Sequence, residues 1–112
     1  MKLSIITVVY NNKQTVADAL ASIINQTYPN IEYIIIDGAS TDGTKEILES
    51  HKEDISIFVS ETDKGIYDAM NKGLSLATGD IIGILNSDDV YKDNEVLAKV
   101  VEAFKADPNL DM

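Results

Sequence analysis

Short apolar runs alternate with stretches of helical periodicity along this chain, and no other feature limits its fold so strongly. Leu3-Ser4-Ile5-Ile6-Thr7-Val8-Val9 is rich in β-branched residues and stops at Tyr10-Asn11-Asn12, so it reads as a buried strand. Across residues 13–26, Val16, Leu20, Ile23 and Ile24 recur at i, i+4, i+7 and i+8, which makes one stripe of an amphipathic helix. Residues 31–36 form a second apolar run and lead into the polar loop Asp37-Gly38-Ala39-Ser40-Thr41-Asp42-Gly43. A helix is then expected over about 44–52, with Asp42 as its N-cap and Ile47 and Leu48 facing inward. Residues 55–60 predict a third strand and 66–77 a third helix, with Ala69, Met70, Gly73, Leu74 and Ala77 on its inner face. A glycine inside a helix costs about 1 kcal/mol relative to alanine, so Gly73 implies a close approach to the sheet.

The fourth unit is the stretch Asp80-Ile81-Ile82-Gly83-Ile84-Leu85-Asn86-Ser87-Asp88-Asp89-Val90-Tyr91. Its unbroken apolar run predicts a strand buried on both faces of a parallel sheet, and it ends in two adjacent acids. Val96, Leu97, Val100, Val101 and Phe104 then make the apolar face of a last helix, which Pro108 ends. Four strand-then-helix repeats predict a Rossmann-like, three-layer α/β/α domain with a mainly parallel sheet and right-handed crossovers. In such sheets ligands bind outside the carboxyl ends of the strands. The loops 10–13, 37–42, 61–65 and 86–91 are therefore expected to converge on one edge.

What those loops hold is narrowed by charge and by missing motifs. The net charge of −10 opposes nucleic-acid binding, which needs clustered Lys and Arg. An acidic domain that holds a phosphorylated ligand needs positive charge between its carboxylates and the phosphates, and Asp88 with Asp89 suits a hard divalent cation. The same two acids would also serve simply to start a turn. The chain has no cysteine, which excludes a disulfide framework and a thiolate metal site. No run reaches membrane-span length, and the start lacks the order of a signal peptide, so the chain as given reads as soluble. Neither G-x-G-x-x-G nor G-x-x-x-x-G-K-[ST] follows the first strand, which argues against a dinucleotide site and a P-loop. Tyr10 instead offers an aromatic face and Asp37 an acceptor at a strand end. That pair suits a nucleobase carrying a ring N–H; equally, Tyr10 would cover the sheet edge and Asp37 cap its own loop. With 112 residues and 45% apolar content the chain suits one domain. Asn109-Leu110-Asp111-Met112 reads as the approach to a fifth strand, and hence this stretch as the amino-terminal part of a longer chain.

Four motifs occur in a telling order: Thr7-Val8-Val9-Tyr10-Asn11, Ile36-Asp37-Gly38-Ala39-Ser40-Thr41-Asp42-Gly43-Thr44, Asp63-Lys64-Gly65-Ile66-Tyr67-Asp68-Ala69-Met70-Asn71-Lys72-Gly73 and Leu85-Asn86-Ser87-Asp88-Asp89. Together they resemble the donor half of a family 2 glycosyltransferase with the GT-A fold. The resemblance implies transfer of a sugar from a nucleotide sugar, usually a UDP-sugar, to an acceptor hydroxyl with inversion. It implies that Tyr10 and Asp37 hold the base, with Val9 and Asn11 beside the nucleoside. Asn86-Ser87-Asp88 stands where that family has D-x-D, so Asp88 becomes the ligand of Mg²⁺ or Mn²⁺ and Asp89 a neighbour of ribose, sugar or metal. Asp68, Asn71 and Lys72 become the polar residues of a wall beside the diphosphate and donor sugar. Asn86 departs from the pattern, since it accepts hydrogen bonds but carries no charge.

The family's general base is a carboxylate of the second half of the domain, past residue 112. Residues 1–112 would then be the donor-binding part, without the half that takes a saccharide or lipid-linked acceptor, and would not transfer sugar alone. The same resemblance implies a cytoplasmic protein, membrane-associated as part of a longer chain, whose uncovered surface favours self-association. A non-catalytic nucleotide-binding or interaction domain stays an alternative. A phosphatase of the haloacid dehalogenase type does not fit, because Tyr10-Asn11-Asn12 lacks the nucleophilic acid. His51 reads as a helix-end residue and Met70 as core packing.

Overall fold

Each apolar run forms a strand and each periodic stretch a helix, in the order β1 (Leu3–Val9), α1 (Val16–Ile24), β2 (Ile31–Asp37), α2 (Thr44–Ser50), β3 (Ile57–Ser60), α3 (Ile66–Leu76), β4 (Ile81–Ile84) and α4 (Val96–Ala106). A 3-10 turn (Lys52–Asp54) links α2 to β3. The computed structural model describes residues 2–62, 65–85, 91 and 94–106. The sheet has the order β3-β2-β1-β4, and every pairing in it is parallel.

Because successive strand residues point to opposite faces, β1 and β2 in the middle of the sheet bury both. On one face Leu3, Ile5, Val9 and Ile35 pack with Val16, Ala19, Leu20 and Ile23 of α1, Leu48 of α2, and Leu97 and Val101 of α4. On the other face Ile6, Ile34 and Ile36 pack with Ala69 of α3. This is the three-layer α/β/α arrangement that the alternation predicts. It places α1 and α4 on the opposite side of the sheet from α3.

Gly73 lies where expected, at the contact between α3 and β1. A methyl group there would come within 2.6 Å of Ile6 Cγ2, so glycine lets the helix sit against the sheet.

Several expectations need correction. The run in β4 is not buried on both faces: Ile81 and Gly83 are buried, but Ile82 is 38% and Ile84 46% exposed. The register pairs Ser4 with Ile82 and Ile6 with Ile84, which puts both isoleucines on the face that α3 covers. That helix packs on β1 and β2, and β4 lies at the edge of the described sheet. Ile24 and Leu74 also belong to the predicted stripes but are exposed, each lying at the rim of its helix face. Met70 is only partly buried. Residues 13–15 turn before α1 begins, and β3 begins at Ile57, although Ile55 is buried.

The amino edge of the sheet is tied by one carboxylate. Glu32 accepts hydrogen bonds from Ser4 Oγ at 2.9 Å, Thr78 N at 2.9 Å and Thr78 Oγ1 at 3.0 Å, and pairs with Lys2 Nζ at 3.1 Å. Burial alone would raise its pKa, but the bonds from Thr78, Ser4 and Lys2 outweigh that and hold it at about 2. This brace joins the starts of β1 and β2 to the turn before β4. It leaves the carboxyl edge free for other work. Among the described residues no helix is long and apolar enough to cross a membrane.

Candidate functional site

The parallel register brings the ends of three strands side by side. Val9 pairs with Asp37, and Asp37 with Ser60. Gly38 N donates to Val9 O at 2.9 Å and Glu61 N to Asp37 O at 3.0 Å, so the ladder continues one residue into each loop. The loops after β1, β2 and β3 therefore open together, as the alternation of elements requires.

Asp37 is fully buried at the centre of this edge. Its Oδ2 accepts from Ser40 N at 3.1 Å and from Ser60 Oγ at 2.8 Å, and its Oδ1 accepts from Ser40 Oγ at 2.5 Å. A carboxylate has about four acceptor positions, so one, on Oδ1, is left. The loop-capping role that the sequence allows is thus realised. It uses up most of the residue without exhausting it. Removing this side chain would leave three donors without their acceptor, two of them on the buried Ser40, so its loss is a perturbation of structure as well as of any ligand contact.

Ser40 Oγ also accepts from Asn11 N at 2.9 Å, while Thr41 N donates to Asn11 Oδ1 at 2.8 Å. The two loops are clasped in both directions. Asn11 at φ 50° and Ala39 at φ 62° are the non-glycine residues with positive φ among those described, and both sit in this clasp. Beside them Tyr10 leaves 61% of its surface exposed at the mouth, directly after the buried Val9.

Asp42 begins the next layer outward. Its Oδ1 accepts from Thr44 N at 3.0 Å and from the Thr44 hydroxyl, and its Oδ2 from Lys13 N at 3.2 Å. The Thr44 hydroxyl, assisted by the two amides, outweighs desolvation and holds the Asp42 carboxyl below its ordinary range. Helix-start chemistry is therefore confirmed, but from one position earlier than expected, since Gly43 is the N-cap. Its φ of 104° suits glycine, and a methyl group there would lie 3.3 Å from the Lys13 stem. A shallow polar depression of about 440 Å³ lies beside this junction, lined by residues 11–15 and Asp42.

The third group stands between β3 and α3. Lys72 Nζ lies 3.1 Å from Glu61 Oε1 and 3.7 Å from Asp68 Oδ2, and donates to Thr62 O at 3.4 Å. Two of the three wall residues named from the sequence thus meet in an ion cluster, while Asn71 is exposed on the same helix. Asn86, Ser87, Asp88 and Asp89 lie outside the described residues. The last described residue before them, Leu85, donates from its N–H to Ile6 O at 3.0 Å and so leaves alongside β1. Among the described residues no three acidic or histidine side chains gather as a metal site. His51 closes α2 at the opposite edge of the sheet, which fits its helix-end reading.

Sequence reasoning missed Ser40 and Ser60 as participants. An acid three residues before a loop N–H is a local signal for the Asp37–Ser40 bond. Ser60 carries no such signal, because only the β2–β3 register brings it to Asp37.

Comparison with known proteins points to one family. The sequence pattern described as Glycosyl transferase family 2 matches residues 4–111. A putative teichuronic acid biosynthesis glycosyltransferase of Bacillus subtilis, TuaG, is 36% identical over 97 residues, 84% of this chain and 38% of that protein. The glycosyltransferase GlyG of Streptococcus pneumoniae is 34% identical over 94% of this chain and 36% of its own length. Among solved structures, the mannosyltransferase PcManGT of Pyrobaculum calidifontis, in complex with GDP-Man and Mn²⁺, superposes with a TM-score of 0.88 at 31% identity. That match covers 97% of this chain and 33% of that one. S. aureus TarS 1-349 in complex with UDP-GlcNAc gives 0.86 at 25% identity, over 95% of this chain and 32% of that one. These neighbours have the GT-A fold. The chain spans between a third and two fifths of the curated relatives named here.

Proposed function

This chain belongs to glycosyl transferase family 2, and we propose that it is the donor-binding part of an inverting enzyme that moves a sugar from a nucleoside-diphosphate sugar to an acceptor hydroxyl. The observation that carries this reading is the clasped carboxyl edge, where Tyr10, Asn11 and Asp37 stand together at the ends of β1 and β2. Tyr10 presents its ring to the base. Asp37 offers its one remaining acceptor position to a ring N–H, and Val9 and Asn11 flank the nucleoside. Uracil and guanine both carry such an N–H, and solved neighbours are in complex with UDP-GlcNAc and with GDP-Man. A UDP-sugar is the donor proposed here.

Asn86, Ser87 and Asp89 face ribose and sugar in this reading, and Asp68, Asn71 and Lys72 the diphosphate side. Asp88 would hold Mg²⁺ or Mn²⁺ through hard carboxylate oxygen, the donor type that suits those ions. When bound, the ion supplies charge neutralisation on the departing diphosphate. Unit charges about 4 Å apart at an effective dielectric of about 20 interact by roughly 4 kcal/mol, about a thousandfold in rate. The remaining length of the relatives leaves room for the acceptor site and the general base, so transfer to a saccharide or lipid-linked acceptor belongs to the longer assembly. Its setting would be polysaccharide synthesis on the cytoplasmic side of a membrane; the relative named for teichuronic acid biosynthesis supports the first part of that reading.

The test is a calorimetric titration of UDP with Mn²⁺ and with EDTA. Binding should tighten with the metal, and Asp88→Ala should remove the difference. Equal affinity in both buffers would overturn the metal role, and no binding in either would overturn the donor-site reading.

A further inference from the structure

We propose that Ser40 is a positioning residue that sets the two arms of the nucleoside site relative to each other. The inference rests on the donor-binding reading of Tyr10, Asn11 and Asp37, and adds the residue that joins them. One hydroxyl stands between the arms: it donates to Asp37 Oδ1 at 2.5 Å and accepts from Asn11 N at 2.9 Å. The roles are set by the backbone N–H, which only donates: it takes a lone pair of the hydroxyl and leaves the hydroxyl proton for Asp37. The hydroxyl proton is thereby directed at Asp37. The lone pair of Ser40 fixes the backbone of Asn11.

The backbone there is strained. Ala39 holds a φ of 62°, in the left-handed region that costs an L-residue about 1–2 kcal/mol, and Asn11 a φ of 50°, which asparagine adopts more readily than other L-residues. Such conformations persist only where the surroundings over-determine them, and they gather at functional sites. Asn11 is held at both ends, by Ser40 Oγ on its N–H and by Thr41 N on its Oδ1. Ala39 is held between Asp37 and Ser40, which are bonded twice. Because Tyr10 immediately precedes Asn11, the same clasp holds the backbone from which its exposed ring extends. The Ser40 hydroxyl is already committed to Asp37 and to Asn11, its proton to the one and its lone pair to the other. Its leverage is on the geometry of residues that do make contact. Ser60 Oγ bonds Asp37 without touching Asn11, so it supports one arm only.

A loop-packing role and a positioning role differ in what they do to affinity at equal stability. UDP affinity should therefore be measured by calorimetry with Mn²⁺ on the 112-residue chain, well below the unfolding midpoint of every variant. Ser40→Ala is expected to weaken UDP about 10-fold or more, and Ser60→Ala to weaken it less. Ser40→Thr, which keeps the hydroxyl, should stay within about 3-fold of wild type. Glu32→Gln, at the other edge of the sheet, should lower the midpoint while leaving UDP affinity unchanged. Wild-type affinity in folded Ser40→Ala would overturn the positioning role. If Ser40→Ala does not fold, hydrogen exchange of the Asn11 amide in the wild type decides: slowing on UDP binding supports the clasp, and an unchanged rate overturns it. Absence of UDP binding by the wild type would remove the donor-site reading and this inference together.

Discussion

Replacing Glu32 by Gln tests whether the amino edge of the sheet is held by charge or only by shape. The carboxylate ties residues 2, 4 and 78 to the start of β2, and its side chain is 11% exposed. Holding its pKa at about 2 against an ordinary 4.5 corresponds to roughly 3 kcal/mol of preference for the charged form in the folded state. The Lys2 ammonium is 38% exposed, so its share is screened, and most of the effect should come from the Thr78 amide and the two hydroxyls. The sign follows from a lowered folded-state value. Stability from this group is complete above about pH 4.5, the unfolded value, and is lost as pH falls through about 2. Urea unfolding at pH 6 and pH 2.5 reads this directly. Wild type should lose about 2–3 kcal/mol more between those two pH values than Glu32→Gln, a difference of roughly 1–3 M in midpoint at an m-value of about 1–2 kcal/mol/M. The comparison cancels the other carboxylates of an acidic chain. Parallel pH profiles for the two proteins would refute the charge brace.

Two further outcomes concern the rest of the fold. Gly73→Ala should destabilise by about 1 kcal/mol despite better helix propensity, because a methyl group 2.6 Å from the buried Ile6 Cγ2 overpacks the interface; a rise in urea midpoint would show that α3 is free to shift. The apolar strip Ile82 and Ile84, on a strand at the edge of the described sheet, should make the isolated chain self-associate, so that light scattering gives a mass above 12.2 kDa that rises with concentration. Ile82→Thr combined with Ile84→Thr should restore the monomer, and a wild-type monomer at high concentration would refute the idea.

The alternation of apolar runs and helical stripes was enough to determine the layers, the parallel sheet and the edge at which loops meet. The reason is that period and length are local: β-branched runs of four to seven residues and recurrences at i, i+4 carry their own secondary structure. Gly73 was legible for the same reason, since a glycine inside a helical stripe has no local justification and points to a neighbour. Tyr10, Asn11 and Asp37 could be named as strand-end residues because their runs end there.

What Asp37 does once buried was decided only by the tertiary structure. Its partners Ser40 and Ser60 come from its own loop and from β3, and the second is 23 positions away and meets it through register alone. The Glu32 brace has the same origin, joining residues 2, 4, 32 and 78, which share no pattern along the chain. The exposure of Ile82 and Ile84 was likewise unreadable, because an apolar run looks the same whether or not a helix covers its strand. Periodicity tells which residues share a face; what packs against that face depends on the order of strands in the sheet, and here α3 packs chiefly on β1 and β2 while β4 lies at the edge of the described sheet.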